Sequence, residues 1–573
     1  MTLFSHHGAL RLLPLATSLV CAYSIHAQDL RNAAPPVVRP LAPAEAAAKE
    51  SAPLSPLPAA NEAIVLTTIK GIVLVPDTSP ASLQRVVSGV DTTATPLAQS
   101  NAIGDYLRQA VGQSASLASL RRLADGISRL LHEQGRNFVS VWLPPQDLTN
   151  GVVRVVVRQA VMEGAMKVEG AEYFRPASYL TWIRQQPNAL LDETALQEDI
   201  DWINRNPFRN ATLAAEAGSA LDSTRLALRV REKRPLRIFA GADNSGTKNT
   251  GEERIFTGFN WGNAFGRGDQ LSYQFKADPD FHRSITHSLN YLTNLPWRHT
   301  LGFSGAWSKT TPDMGPLFNQ TGTSWQLGTQ YRIPLTAIRD EHVLLKQEFG
   351  ADLDFKYADN NLDFASIPVV NNSTKITQLS LLYTLNRETA DNSSSLSPRL
   401  VLSPGGLVHD NRDSAFDGSR AGAPARYAYF RLDVEHSQNL PAKLHWNISA
   451  NAQYANVPLL GSEMLAGAGA QAVRGYPESG AFGDSGLVLK NELHAPAWKV
   501  SDAQLDAFVF QDQAWLSTNG QGASNIHLSS IGVGIAMNWN PALTFNVTAA
   551  WPLKRDVGGE NGARALFRAQ LAF

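Results

Sequence analysis

The stretch ARALFRAQLAF, Ala563–Phe573, sorts its residues by parity. Ala565, Phe567, Ala569, Leu571 and Phe573 fall on one side, Arg568 and Gln570 on the other. A period of two is that of a strand with one apolar and one polar face. The pattern recurs upstream. In DQLSYQFKA (269–277), Leu271, Tyr273 and Phe275 alternate with Ser272, Gln274 and Lys276. In GLVLKNELH (486–494), Leu487, Leu489 and Leu493 alternate with Val488, Lys490, Glu492 and His494. About sixteen such segments fit between residues 235 and 573, separated by loops rich in Gly, Asn, Asp and Pro. Strands of about ten residues, apolar outside and polar inside, are the signature of an outer-membrane barrel. A soluble β-sandwich is the competing architecture, and a chain ending on a strand-final Phe573 favours the barrel.

Composition agrees. Of 573 residues, 43% are hydrophobic and only 18% charged, with a net charge of −1. A helical membrane protein is greasier, whereas a barrel is apolar on one face only. A near-neutral balance without a basic run gives no reason to expect nucleic acid as a partner. Residues 1–27 read as a secretory signal: Arg11, the apolar core LLPLATSLVCAY and IHA ending at Ala27. A retained anchor is the other reading of that segment, which is short and early for a membrane span. Cys21, the only cysteine, lies within it. The mature chain then has no thiol, which excludes disulfides, thiolate metal sites and cysteine nucleophiles. No later run of about 18 apolar residues exists to cross a membrane as a helix.

Residues 28–60 form an Ala/Pro-rich linker in which PAEAAAKESA (43–52) is a possible plug helix. Two α+β modules follow, at 61–158 and 159–233. The first opens on a strand, AIVLTTIKGIVLV (63–75), and carries a helix with Leu117, Leu120, Ala124, Ile127 and Leu131 on one face, ended by Gly135. FVSVWL and GVVRVVVRQ close it as strands. The second is shorter, with helices in RPASYLTWIRQQ and DETALQEDIDWINRNP, where Leu196, Ile200 and Ile203 share a face. The barrel occupies 235–573. No G-x-S-x-G, H-E-x-x-H, nucleotide loop or metal-spaced cluster appears, so no catalytic residue, metal or cofactor is expected. One motif stands out, QAVRGYPESG (471–480), in which Arg474 sits between a valine and a glycine. Read alone, it is a surface loop with a solvated guanidinium.

Four segments in order change that reading: VWLPPQDLTNGVVRVVV (141–157), IDWINRNPFR (200–209), NSGTKNTGEERIFTGFNWGNAFGRGDQL (244–271) and VRGYPESGAFGDSGLVLKNEL (473–493). Together they resemble the two-partner-secretion TpsB transporters, the haemolysin secretion/activation family (ShlB/FhaC/HecB), over the whole chain after the linker. The resemblance implies two POTRA domains, each strand-helix-helix-strand-strand, followed by an all-β transmembrane barrel of sixteen strands. It implies that a loop at about 457–484 folds into the lumen, with Val473, Arg474, Gly475 and Tyr476 at its tip. A guanidinium taken out of water needs an anionic partner. The family pattern puts one on the wall in FQDQA, as Phe510 and Asp512, with Ala514 standing where the family has glycine. Gly483, Asp484, Gly486 and Glu492 complete the loop and strand motif.

The function implied is export of a TpsA-type exoprotein (an adhesin, haemolysin or toxin) through the bacterial outer membrane, with the POTRA domains in the periplasm. Outer-membrane lipids surround such a barrel, and the barrel-assembly machinery reads its last strand, here ending at Phe573. Two alternatives belong beside it. A barrel-assembly insertase usually carries more than two POTRA domains, and a diffusion porin leaves the periplasmic modules without a task.

Overall fold

The computed structural model describes residues 34–36, 38, 63–136, 138–220, 222–340, 342–364, 367–540, 542–554 and 562–573. The secretory signal at 1–27 and the plug helix at 43–52 lie outside the described residues. The chain divides into two compact units, Arg39–Arg234 and Pro235–Phe573, the latter joined by residues of the N-terminal segment up to Val38.

In the first module a four-stranded sheet runs in the order Gly89–Asp91, Gly71–Val75, Val152–Gln159, Val139–Trp142. The strand expected over 63–75 is broken: Ile64–Leu66 pairs with Ala115–Ser116, while Gly71–Val75 enters the main sheet. The break falls where the backbone N–H groups of Ile69 and Lys70 donate to Gln113 and Gly151 instead of continuing a ladder. Val152, Val153, Val155 and Val156 are all buried, because the strand is central and covered on both faces. Helix Leu117–Glu133 covers one face through Leu120, Leu123, Ala124, Ile127 and Leu131. Ser116 caps this helix in a reciprocal box with Ser119. Leu117, expected on the apolar stripe, is exposed instead. It is the first helical residue, and a helical side chain lies over the turn preceding it, where the chain is still strand. Gly135 follows the helix with φ 76°, as its C-terminal position requires.

The second module pairs Ser223–Glu232 with Arg209–Ala217 on one side and with Val161–Met162 and Lys167–Glu169 on the other. Helix Glu193–Ile203 buries Leu196, Ile200 and Ile203 against it. The other helix is only Pro176–Leu180, shorter than its sequence segment.

From Pro235 onward the chain makes sixteen principal strands. They are β1 Leu236–Asp243, β2 Arg254–Ala264, β3 Asp269–Ala277, β4 Ser284–Asn294, β5 Thr300–Thr310, β6 Phe318–Pro334, β7 Leu344–Phe364 and β8 Ile367–Glu388. The second half comprises β9 Asn392–Ser403, β10 Tyr427–Asn439, β11 His445–Ala455, β12 Ser485–His494, β13 Ala503–Ser517, β14 Asn525–Trp539, β15 Leu543–Pro552 and β16 Arg564–Ala572. Every neighbour pairs antiparallel, and β1 meets β16 from Phe239↔Ala572 to Asp243↔Arg568, closing the barrel. Beyond that ladder the Asn244 side chain donates to the Ala565 carbonyl and accepts from the Phe567 N–H, extending the seam. Alternation is kept: on β13, Phe508, Phe510, Asp512, Ala514 and Leu516 are buried, while Val509 and Trp515 are exposed to the outside. The hairpin of β7 and β8, 21 and 22 residues long, is about twice what a membrane crossing needs.

The core around Ile127 is drawn from the first module alone, which generates a prediction. Ile127→Ala removes a fully buried side chain from the first module and should cost about 2–5 kcal/mol there. Hydrogen exchange on the whole protein should show faster exchange across 71–159, with the second module and barrel unchanged. Loss of protection in all three would show that they unfold as one.

Candidate functional site: the loop across the lumen

Between β11 and β12 the chain leaves the wall for residues 456–484 and enters the lumen. Inside, it folds on itself: Leu465–Ala466 pairs with Phe482–Gly483, and Ala468 bridges Val473. Val473 is fully buried with Leu465, Ala472, Tyr476, Val488 and Ala514. Ala514 has no exposed surface, so its methyl group fills that cluster.

Arg474 is 5% exposed and Asp512 not at all. Its Nε donates to Asp512 Oδ2 at 2.7 Å and its Nη2 to Oδ1 at 2.8 Å, a two-pronged match of planar groups. The Arg474 backbone N–H donates to the same carboxylate at 3.2 Å. The remaining prong, Nη1, reaches Glu492 Oε1 at 2.6 Å. The guanidinium also lies over the Phe510 ring, 3.6 Å from its centroid. Lys490 is the register partner of Asp512, so two cations and two carboxylates share this part of the wall. Glu492 continues to His494 at 3.3 Å, which meets Asp506 at 3.0 Å and stacks on Phe508.

The neighbours of Arg474 fix the tip against the wall. Gly475 has φ 95°, and a Cβ there would sit 3.3 Å from Ala550 and from the Pro552 nitrogen. The Tyr476 hydroxyl donates toward the carbonyls of Ser529 and Lys554, at 3.0 and 2.8 Å, and accepts from their N–H groups. Gly483 and Gly486 have no room for a side chain either: a Cβ would fall 2.7 Å from the Ser485 carbonyl and 2.4 Å from that of Trp515.

Two further anchors escaped sequence reasoning. Asp484, read only as part of a motif, is fully buried and accepts from Nη1 and Nη2 of Arg420 at 2.6 and 2.7 Å. The backbone N–H groups of Leu459 and Asn519 reach it at 2.7 Å each. One carboxylate thus gathers three cell-surface loops, those following β9, β11 and β13. Glu463, 1% exposed, meets Lys356 of β7 at 2.9 Å and the Tyr429 hydroxyl of β10 at 2.9 Å. The loop is therefore held on β7 and β10 at one point and on β12 to β15 at others. It crosses the lumen. The Asn260 side chain donates to the carbonyl of Pro36 at 3.3 Å, which puts part of the N-terminal segment against the inner wall as well.

Comparison with known proteins places this architecture. The profile of the family described as "Haemolysin secretion/activation protein ShlB/FhaC/HecB" matches residues 222–537, and that of "POTRA domain, ShlB-type" matches residues 86–160. The heme/hemopexin transporter protein HuxB of Haemophilus influenzae is 21% identical over 467 residues, 79% of this chain and 81% of that one. The outer membrane transporter CdiB of Escherichia coli is 23% identical over 421 residues, 72% of this chain and 68% of that one. Among solved structures, CdiB from Escherichia coli covers 100% of both chains with a TM-score of 0.69 at 18% identity. CdiB from Acinetobacter baumannii gives 0.61 at 16%.

Arg420→Ala should loosen the surface loops without opening the barrel wall. It leaves Asp484 buried with only backbone partners, and breaking a buried pair costs about 3–5 kcal/mol. Hydrogen exchange should rise at 404–426 and 456–466, while protection on β11 and β12 stays. Unchanged exchange in both loops would mean the pair contributes nothing to holding them.

Proposed function

The chain belongs to the haemolysin secretion/activation protein family (ShlB/FhaC/HecB), outer-membrane transporters of two-partner secretion, and we propose that it exports one dedicated exoprotein of the TpsA type. The periplasmic modules capture the unfolded partner by adding its strand to an open sheet edge. Arg209–Ala217 supports this, because among the described residues it pairs on one side only, with Ser223–Glu232. The barrel conducts the chain, and folding outside supplies direction. Nothing in this scheme asks for catalysis, so the protein acts as a transporter rather than an enzyme. Outer-membrane lipids surround the wall, and assembly machinery recognises the strand that ends at Phe573.

The observation that carries the reading is the loop across the lumen. It crosses the lumen that an extended polypeptide would have to traverse, and its tip is anchored on the wall by charged pairs beside the apolar cluster around Val473. The residues proposed as the latch are Val473, Arg474, Gly475, Tyr476, Phe510 and Asp512, with Glu492 as a second carboxylate for the same guanidinium. A barrel-assembly insertase would need its first and last strands to part. Here that seam is bonded from Ile238 with Phe573 to Asn244 with Ala565, which favours export. The division into 61–158, 159–233 and 235–573 is the working assignment for this mechanism.

Two experiments test it. Deleting residues 61–158 should abolish export of the partner while the barrel still inserts and shifts its gel mobility on heating. Export at the normal level would remove the capture role. Arg474→Ala leaves Asp512 and Glu492 facing each other in a confined space, and should sharply reduce secretion from an inserted barrel. Asp512→Ala should do the same, and the double variant should be no worse than either single, since the two act as one unit. Additive losses, or normal secretion by Arg474→Ala, would take the latch away.

A further inference from the structure

The outer wall carries a feature that export does not use. On β5 the odd residues Phe303, Gly305, Trp307 and Lys309 face outward, toward lipid. At Gly305 the row loses a side chain, and a Cβ built there would meet only Leu327 Cδ2, at 3.6 Å. The gap opens an apolar groove of about 400 Å³, floored by Gly305 and walled by Leu289, Leu327, Trp307 and Trp325. Leu289 and Leu327 are the register partners of Gly305 on either side.

Depth follows from the aromatic residues. Trp307 pairs with Trp325 on one side and His287 on the other, and the Tyr273 hydroxyl bonds His287 Nδ1 at 2.7 Å. Aromatic rings with a polar edge mark the membrane–water interface. β5 runs toward the cell surface, so Gly305 lies two residues, about 7 Å of strand, inside the outer leaflet. Lys309 lies the same distance on the headgroup side. It is exposed and, among the described residues, has no ion-pair partner. The nearby Arg283 is already neutralised by Asp313 at 3.4 Å.

The geometry points to a binding site for a phosphorylated, multiply acylated outer-leaflet lipid, lipid A, with one acyl chain in the groove at Gly305 and a phosphate on Lys309. A zwitterionic phospholipid supplies a chain but no net negative headgroup for the lysine. The site rests on the barrel's place in the outer membrane and not on the latch or the identity of the exported partner, so secretion assays leave it untouched.

The test is native mass spectrometry of the full-length protein, delipidated in neutral detergent and titrated with lipid A or with phosphatidylethanolamine. The wild type should retain one lipid A and little phosphatidylethanolamine. Lys309→Gln removes a charge-assisted bond and should lower lipid A occupancy about tenfold. Gly305→Leu fills the groove and should lower it comparably, in a barrel whose heat-modifiable mobility shows it is folded. Lys499→Gln, an exposed lysine at the opposite end of the wall, should leave occupancy as it is. Equal lipid A retention by the wild type and both groove variants overturns the site, and so does phosphatidylethanolamine bound as well as lipid A.

Discussion

In hydrocarbon, a strand has only its neighbours to satisfy its N–H and C=O groups, so a sheet there must have no edge. That constraint sets the rest of the molecule. Closing β1 onto β16 turns one face of every strand toward lipid and the other toward an enclosed space. Sixteen strands enclose more volume than side chains alone fill. What occupies the lumen is then a second problem, and the chain solves it with its own loop between β11 and β12.

An enclosed lumen makes charge expensive to leave unpaired, and the loop uses this. Arg474 satisfies Asp512 and Glu492 together, while Asp484 is satisfied by Arg420 and two backbone N–H groups. Such groupings are specific rather than strongly stabilising: a buried pair roughly balances its desolvation, yet removing one member is costly. Contacts of this type fix where the segment sits more than how tightly it is held. Apolar burial adds to them, since Leu465, Ala472, Val473 and Tyr476 of the same loop pack with Val488 and Ala514.

The barrel was legible in the sequence wherever one face met lipid and the other did not. The final strand is the clearest case, since Phe567 and Leu571 alternate with Arg568 and Gln570. Where both faces are covered the signal fails: the Val-rich strand alternates Val with Arg, yet residues 152–157 are all buried, Arg154 included. The break within 63–75 was invisible because its cause, hydrogen bonds to Gln113 and Gly151, lies far away in the chain. Arg420 and Glu463 were missed for a related reason. Both stand in irregular loops, where no period marks a buried charge, and their partners are 64 and 107 residues away. Asp512 could be named only because a strand with lumen parity carries it in a recognisable pattern. That Glu492 shares the same guanidinium is a matter of side-chain reach, which sequence spacing does not encode.

The long hairpin of β7 and β8 has a consequence on the far side of the membrane. Its strands stay paired in one register from Leu344↔Glu388 to Leu362↔Val370, with a shift of one residue before Asp363, and β6 pairs alongside as far as Phe318. About half of that ladder stands clear of the bilayer. A ridge of paired backbone is stiff, unlike a loop of equal length. The hairpin therefore presents a fixed surface outside the membrane, where a loop of equal length would present a changing one.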